Sequence, residues 1–148
     1  MVSKREQILQ AVFALLPTPN GAQKKRNAVE LVEVPAGGLI VLRDGSASEP
    51  DVFLSPLTYV FEHQAEIEVL AQDPDADARS EIVDGLVAAI RASLVADRSL
   101  GGLADWTEVL APELSDEPVV GDEGPEGVPF KVARLPVRIE YTTADSTG

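Results

Sequence analysis

The amino-acid sequence predicts an α+β fold, a two-layer sandwich in which two helices pack on one face of a mainly antiparallel sheet. Residues 57–71 and 128–142 each alternate apolar and polar side chains, the period of a strand with one buried and one wet face. Residues 3–16 and 75–96 instead carry apolar side chains at helical spacing. The order along the chain, helix, strands, helix, strands, lets both helices cover one side of a single sheet.

Ser3 and Glu6 stand at capping-box spacing. Ile8, Leu9, Val12, Leu15 and Leu16 follow with Phe13 alongside, and Pro17 stops the helix. Residues 17–28 read as an exposed loop by their Pro, Asn and Gly content. Their Lys24-Lys25-Arg26 run is the one dense basic patch in the sequence, a solvated loop on the plain reading and a contact for an acidic partner surface on the sharper one. Residues 29–34 alternate apolar and acidic side chains, 39–42 are an apolar run, and Pro35 to Gly38 lie between, which predicts a two-strand unit. Asp44-Gly45 predicts a turn. The stretch 46–56 is polar apart from Val52, Phe53 and Leu54.

In 57–71, Tyr59, Phe61, Ala65, Ile67, Val69 and Ala71 share one parity, with Thr58, Glu62, Gln64, Glu66 and Glu68 on the other. At about 3.3 Å per residue such a strand spans roughly 50 Å, more than a small domain covers, so part of it is expected to project towards another molecule. Asp73 and Pro74 suit the cap and first position of the second helix. Its stripe of Ile82, Val83, Leu86, Val87, Ile90 and Leu94 makes it the main core helix, and Ile82, Leu86, Ile90 and Leu94 are the expected seam with the sheet. Residues 105–111 read as a short strand with Trp106 and Val109. Residues 112–127 hold Glu113, Asp116, Glu117, Asp122, Glu123 and Glu126 among Pro and Gly with no basic residue, and read as an exposed loop. In 128–142, Ala133, Leu135, Val137, Ile139 and Tyr141 face in. Arg134, Arg138 and Glu140 face out, where the arginines are set to oppose Glu62, Glu66 and Glu68. Pro136 lacks an amide proton, which predicts an edge strand or a bulge. The end, 144–148, reads as a flexible tail.

The 148 residues suit one domain, 1–148, and the composition, 45% hydrophobic and 25% charged, is that of a globular chain. With no cysteine, disulfides and thiolate chemistry are excluded. Gln7 and Gln10 interrupt the N-terminal apolar positions, so no signal peptide is expected, and no apolar run is long enough for a membrane helix; synthesis in the cytoplasm is the expectation. The net charge of −13 is uneven: residues 1–43 hold six basic and three acidic side chains, a net of +3, and the remainder six basic and twenty-two acidic, a net of −16. Such an acidic chain is poorly suited to binding nucleic acid. The single histidine, His63, lies on the apolar parity of 57–71 and reads as a structural residue. No nucleophile elbow or phosphate-binding glycine motif occurs. Asp73, Asp75 and Asp77 resemble the start of a calcium loop, but Ala78 and Asp84 stand where a glycine and a glutamate are needed. No enzyme, cofactor or metal is expected.

Several stretches together carry a family resemblance: Ser3-Lys4-Arg5-Glu6-Gln7-Ile8-Leu9, Gly38 to Gly45, and Leu54-Ser55-Pro56-Leu57-Thr58-Tyr59 running into the Glu-rich strand. Asp97-Arg98-Ser99-Leu100-Gly101-Gly102-Leu103 and Val137-Arg138-Ile139-Glu140-Tyr141 complete it. The chain resembles phage tail terminator proteins, the lambda-type minor tail family, in the version of alphaproteobacterial phages and gene-transfer-agent particles. The resemblance implies a structural virion protein at the head-proximal end of the tail. There a homohexameric ring would cap the tail tube protein, stop its polymerisation and meet the head-side connector or stopper. DNA would pass through the lumen without specific binding. Lys24, Lys25, Arg26, Arg134 and Arg138 are then the candidate partner contacts. Glu62, Glu66, Glu68, Asp116, Glu117, Asp122 and Glu123 are the candidate lumen or loop acids. The alternatives are a head-tail connector of the same particle and a small ligand-binding α+β domain.

Overall fold

The computed structural model describes residues 2–29, 33–117 and 128–148. It is an α+β sandwich with two α-helices on a mixed sheet of seven strands. The elements run α1 (Lys4–Leu15), a 3-10 turn (Pro19–Gly21), β1 (Gln23–Arg26), β2 (Leu39–Ala47), β3 (Asp51–Leu54) and β4 (Leu57–Gln72). After these come α2 (Ala76–Ala96), β5 (Trp106–Val109), β6 (Glu113–Glu117) and β7 (Phe130–Thr143). The sheet order is β1-β2-β4-β7-β5, with β3 beside the start of β4 and β6 beside the start of β7. Only the β1–β2 pair is parallel among these strands. No helix among the described residues is long and apolar enough to cross a membrane.

Alternation in β4 and β7 builds the main core. Phe61, Ala65, Ile67, Val69 and Ala71 of β4 and Ala133, Leu135, Val137, Ile139 and Tyr141 of β7 face the helices, paired over fourteen positions. Ile8, Leu9 and Val12 of α1 and Val83, Leu86, Ile90 and Leu94 of α2 cover them. Val83, not Ile82, completes the buried seam; Ile82 is half-buried at its rim. The other face carries a smaller cluster of Leu39, Val41, Leu70 and Val132, against which Ala28, Val34 and Phe130 pack. The unbroken apolar run 39–42 follows from this, because β2 is buried on both faces there.

Several local expectations are corrected. Residues 17–28 are not all loop: Gln23 to Arg26 form the parallel strand beside β2, and the described residues of 29–34 lie outside any strand. Asp44-Gly45 is no turn but a bulge, because Arg43 opposes Glu66 while Ser46 opposes Gln64, leaving two residues against one. The α2 cap is Asp75, whose carboxylate accepts from the Asp77 amide, and Asp73 caps Asp75 in turn. The expected loop 112–127 begins as strand β6, and its 118–127 part lies outside the described residues. At the end of the chain, Thr147 O accepts from Arg5 and Gly148 lies beside the Tyr141 hydroxyl.

Pro136 sits in the middle of a central strand. A residue in a strand points its N–H and C=O at the same neighbour. Its carbonyl accepts from Leu110, so its nitrogen faces the gap between the end of β5 and the start of β6. The donor that proline lacks falls where no ladder bond is required.

Candidate partner-contact surface

The basic run is divided by strand alternation. Lys24 and Arg26 turn to the helix side, and exposed Lys25 turns the other way. Lys24 Nζ donates to the carbonyls of Phe13 at 2.9 Å and Leu16 at 3.0 Å, at the C-terminal end of α1, and lies 5.0 Å over the Phe13 ring. Arg26 spans two carboxylates, Glu6 on α1 at 2.6 and 2.7 Å and Asp44 on the bulge at 2.8 and 3.0 Å. Hydrogen bonds from Arg26 hold both carboxyls below their ordinary range, and the two acids raise Arg26 in return. Two of the three expected contact residues are thus engaged within the fold, which leaves Lys25 on the surface.

The sheet face away from the helices carries Arg134, Arg138, Glu62, Glu66 and Glu68, whereas Asp116 lies on the helix side. Arg134 opposes Glu68 in the β4–β7 register and lies 4.0 Å from Glu66. Glu68 is itself paired with Arg43. Arg138 opposes Gln64 and reaches across to Glu108 on β5 at 2.7 Å, which raises its pKa. Glu62 opposes Glu140, so two like charges face each other at the centre of this exposed face. Exposed Trp106 opposes Glu140 from the other side, with the Arg98 guanidinium 4.4 Å over its ring. Asp116 lies 4.0 Å from the buried Arg79, which binds the carbonyls of Asp73 and Pro74. Glu117 ends β6, and Asp122 and Glu123 lie outside the described residues.

His63 is buried among the core positions, and its Nε2–H donates to the Asp44 carbonyl that the bulge turns inward. Among the described residues no three His, Cys, Asp or Glu side chains converge as a metal site.

The feature with no counterpart among the predicted site residues is the β3–β4 hairpin. Val52 opposes Tyr59 and Leu54 opposes Leu57, so these four share the helix-side face. Tyr59 packs on the core, but beyond it the helices end. Val52 is 49%, Leu54 80% and Leu57 48% exposed, with Phe53 on the other face at 58%. The sequence signal was the Val52-Phe53-Leu54 patch beside an overlong strand. No protein-family model and no curated protein matches this chain.

Proposed function

We propose that the chain is the subunit of a structural ring, of the tail-terminator kind, that caps a phage-type tail tube and joins it to the head-side connector. The observation that carries the reading is that β4, at 16 residues, outruns the helical layer at the end where β3 joins it, so that the core-side apolar surface continues into exposed Val52, Leu54 and Leu57. A soluble chain rarely leaves such a patch unless something docks on it. Ring subunits in this role bind, stop growth and pass DNA, and need no reacting group. Around the lumen, Glu62 and Glu140 suit a DNA-repelling wall better than Glu66 and Glu68, whose charges are offset by Arg134 and Arg43. Lys25 is the basic residue best suited to a neighbouring tube or connector.

Electron microscopy of the particle that carries this chain tests the reading. The expected density is a ring of copies of this fold on the last ring of tube subunits. Copies on the portal side would favour the connector alternative, and copies at neither end of the tail joint would reject both.

A further inference from the structure

We infer that the 52–57 hairpin of one copy docks in a cleft beside α2 of a second copy, joining subunits head to tail. The inference names the contact within the proposed ring and rests on that reading only for its setting. The cleft, about 420 Å³, lies between α2 and the two turns preceding β1 and β2, and is lined by Pro19, Ala36, Gly37, Ile82, Gly85 and Ala89. Gly85 of α2 is among its lining residues. A glycine inside a long helix costs about 1 kcal/mol against alanine, and a Cβ there would meet nothing within 4 Å, so the fold itself does not require it. Absence of a side chain there keeps the cleft open, the purpose that the local cost serves.

Hairpin and cleft cannot meet within one chain. Gly38, beside the cleft, touches the Leu70 end of β4, whereas the hairpin joins its Leu57 end. At about 3.3 Å per residue the two ends are about 40 Å apart. Unlike patches at opposite ends make a heterologous contact, which closes into a ring or runs on as a filament. Charge favours a second copy as the occupant. Two chains of net −13 repel, and they approach best through patches nearly free of charge. Residues 52–58 have no ionisable side chain, and Glu81 is the one charged residue lining the cleft among the described residues. Area sets the strength: Val52, Leu54 and Leu57, the exposed side chains on the helix-side face, present roughly 300 Å², well under the about 800 Å² per partner in a stable pair. Such a contact is weak for two molecules and strengthened when a ring closes.

Because the chain has no cysteine, Leu54→Cys and Ala89→Cys can be made in separate copies, mixed and oxidised. The expected product is a disulfide joining one variant to the other. No cross-link, or cross-links only between two Leu54→Cys chains, overturns the inference; the latter would mean symmetric hairpin pairing. Gly85→Leu is the companion variant. It fills the cleft, so melting temperature should hold or rise while self-association in sedimentation falls at least about tenfold. Unchanged association overturns the contact. A cross-link without any ring in particles would reject the tail reading and keep this contact, and a normal ring built from Gly85→Leu chains would do the reverse.

Discussion

Arg26 ties the two layers together, since Glu6 belongs to a helix and Asp44 to the sheet. Arg26→Ala should cost about 1–2 kcal/mol at neutral pH, the range for charged hydrogen bonds discounted for partial exposure. The pH dependence has a definite sign. Both carboxyls titrate below their ordinary values of 4.5 and 3.8, so their stabilisation is complete above those values. It is lost as pH falls through the lowered ones. The gap between wild type and Arg26→Ala in denaturant melts should therefore narrow below about pH 4; a gap independent of pH would mean that charge contributes nothing there. Tyr141 is the converse case. Its ring is buried and stacks on Phe61 at 5.4 Å, its hydroxyl has no hydrogen-bond partner among the described residues, and burial raises its pKa. Tyr141→Phe removes an unpaired polar atom without opening a cavity, so stability should hold or rise by up to about 1 kcal/mol. A loss above that would reveal a partner for the hydroxyl.

At the scale of elements, the bulge in β2 sets what β2 presents. Gly45 has φ +66°, and a Cβ there would stand 1.9 Å from the Gln64 carbonyl. Gly45→Ala should cost about 2–4 kcal/mol in thermal or chemical melts, strain and clash together; a loss below 1 kcal/mol would mean the bulge slips freely. Asp44-Gly45 looked like a turn because a bulge and a turn ask for the same residues, and the difference lies in whether β4 continues opposite. The long alternations of β4 and β7 and the stripe of α2 were legible, because each states its own period over many residues. β6 was not: Glu-Leu-Ser-Asp-Glu has loop composition, and it is a strand because β7 offers a partner edge. Lys24 and Arg26 looked like a free basic patch for a related reason. Their partners lie eight to twenty residues away on other elements, although their alternation with Lys25 already hinted at two faces. The hairpin's apolar residues were visible in the sequence; that nothing among the described residues covers them was not, since coverage depends on where the helices end.

For the whole molecule the governing quantities are an acidic surface and an unfinished apolar one. Copies of net −13 resist association at long range, and the proposed contact gains by covering the hairpin at short range. Salt separates these terms. The Debye length falls from about 10 Å at 0.1 M to about 3 Å at 1 M, so repulsion between copies fades while apolar burial keeps its strength. Self-association measured by sedimentation or light scattering should therefore increase with sodium chloride. The opposite trend, dissociation by salt, would point to opposite charges as the adhesive, with Lys25 on its edge strand meeting the Glu62–Glu140 face of the next copy. Leu54→Ser distinguishes the two further, because Leu54 is four-fifths exposed and its loss should leave the melting temperature unchanged. If the hairpin is the adhesive, that single change should abolish the salt-promoted association; if ion pairs are, association should survive it.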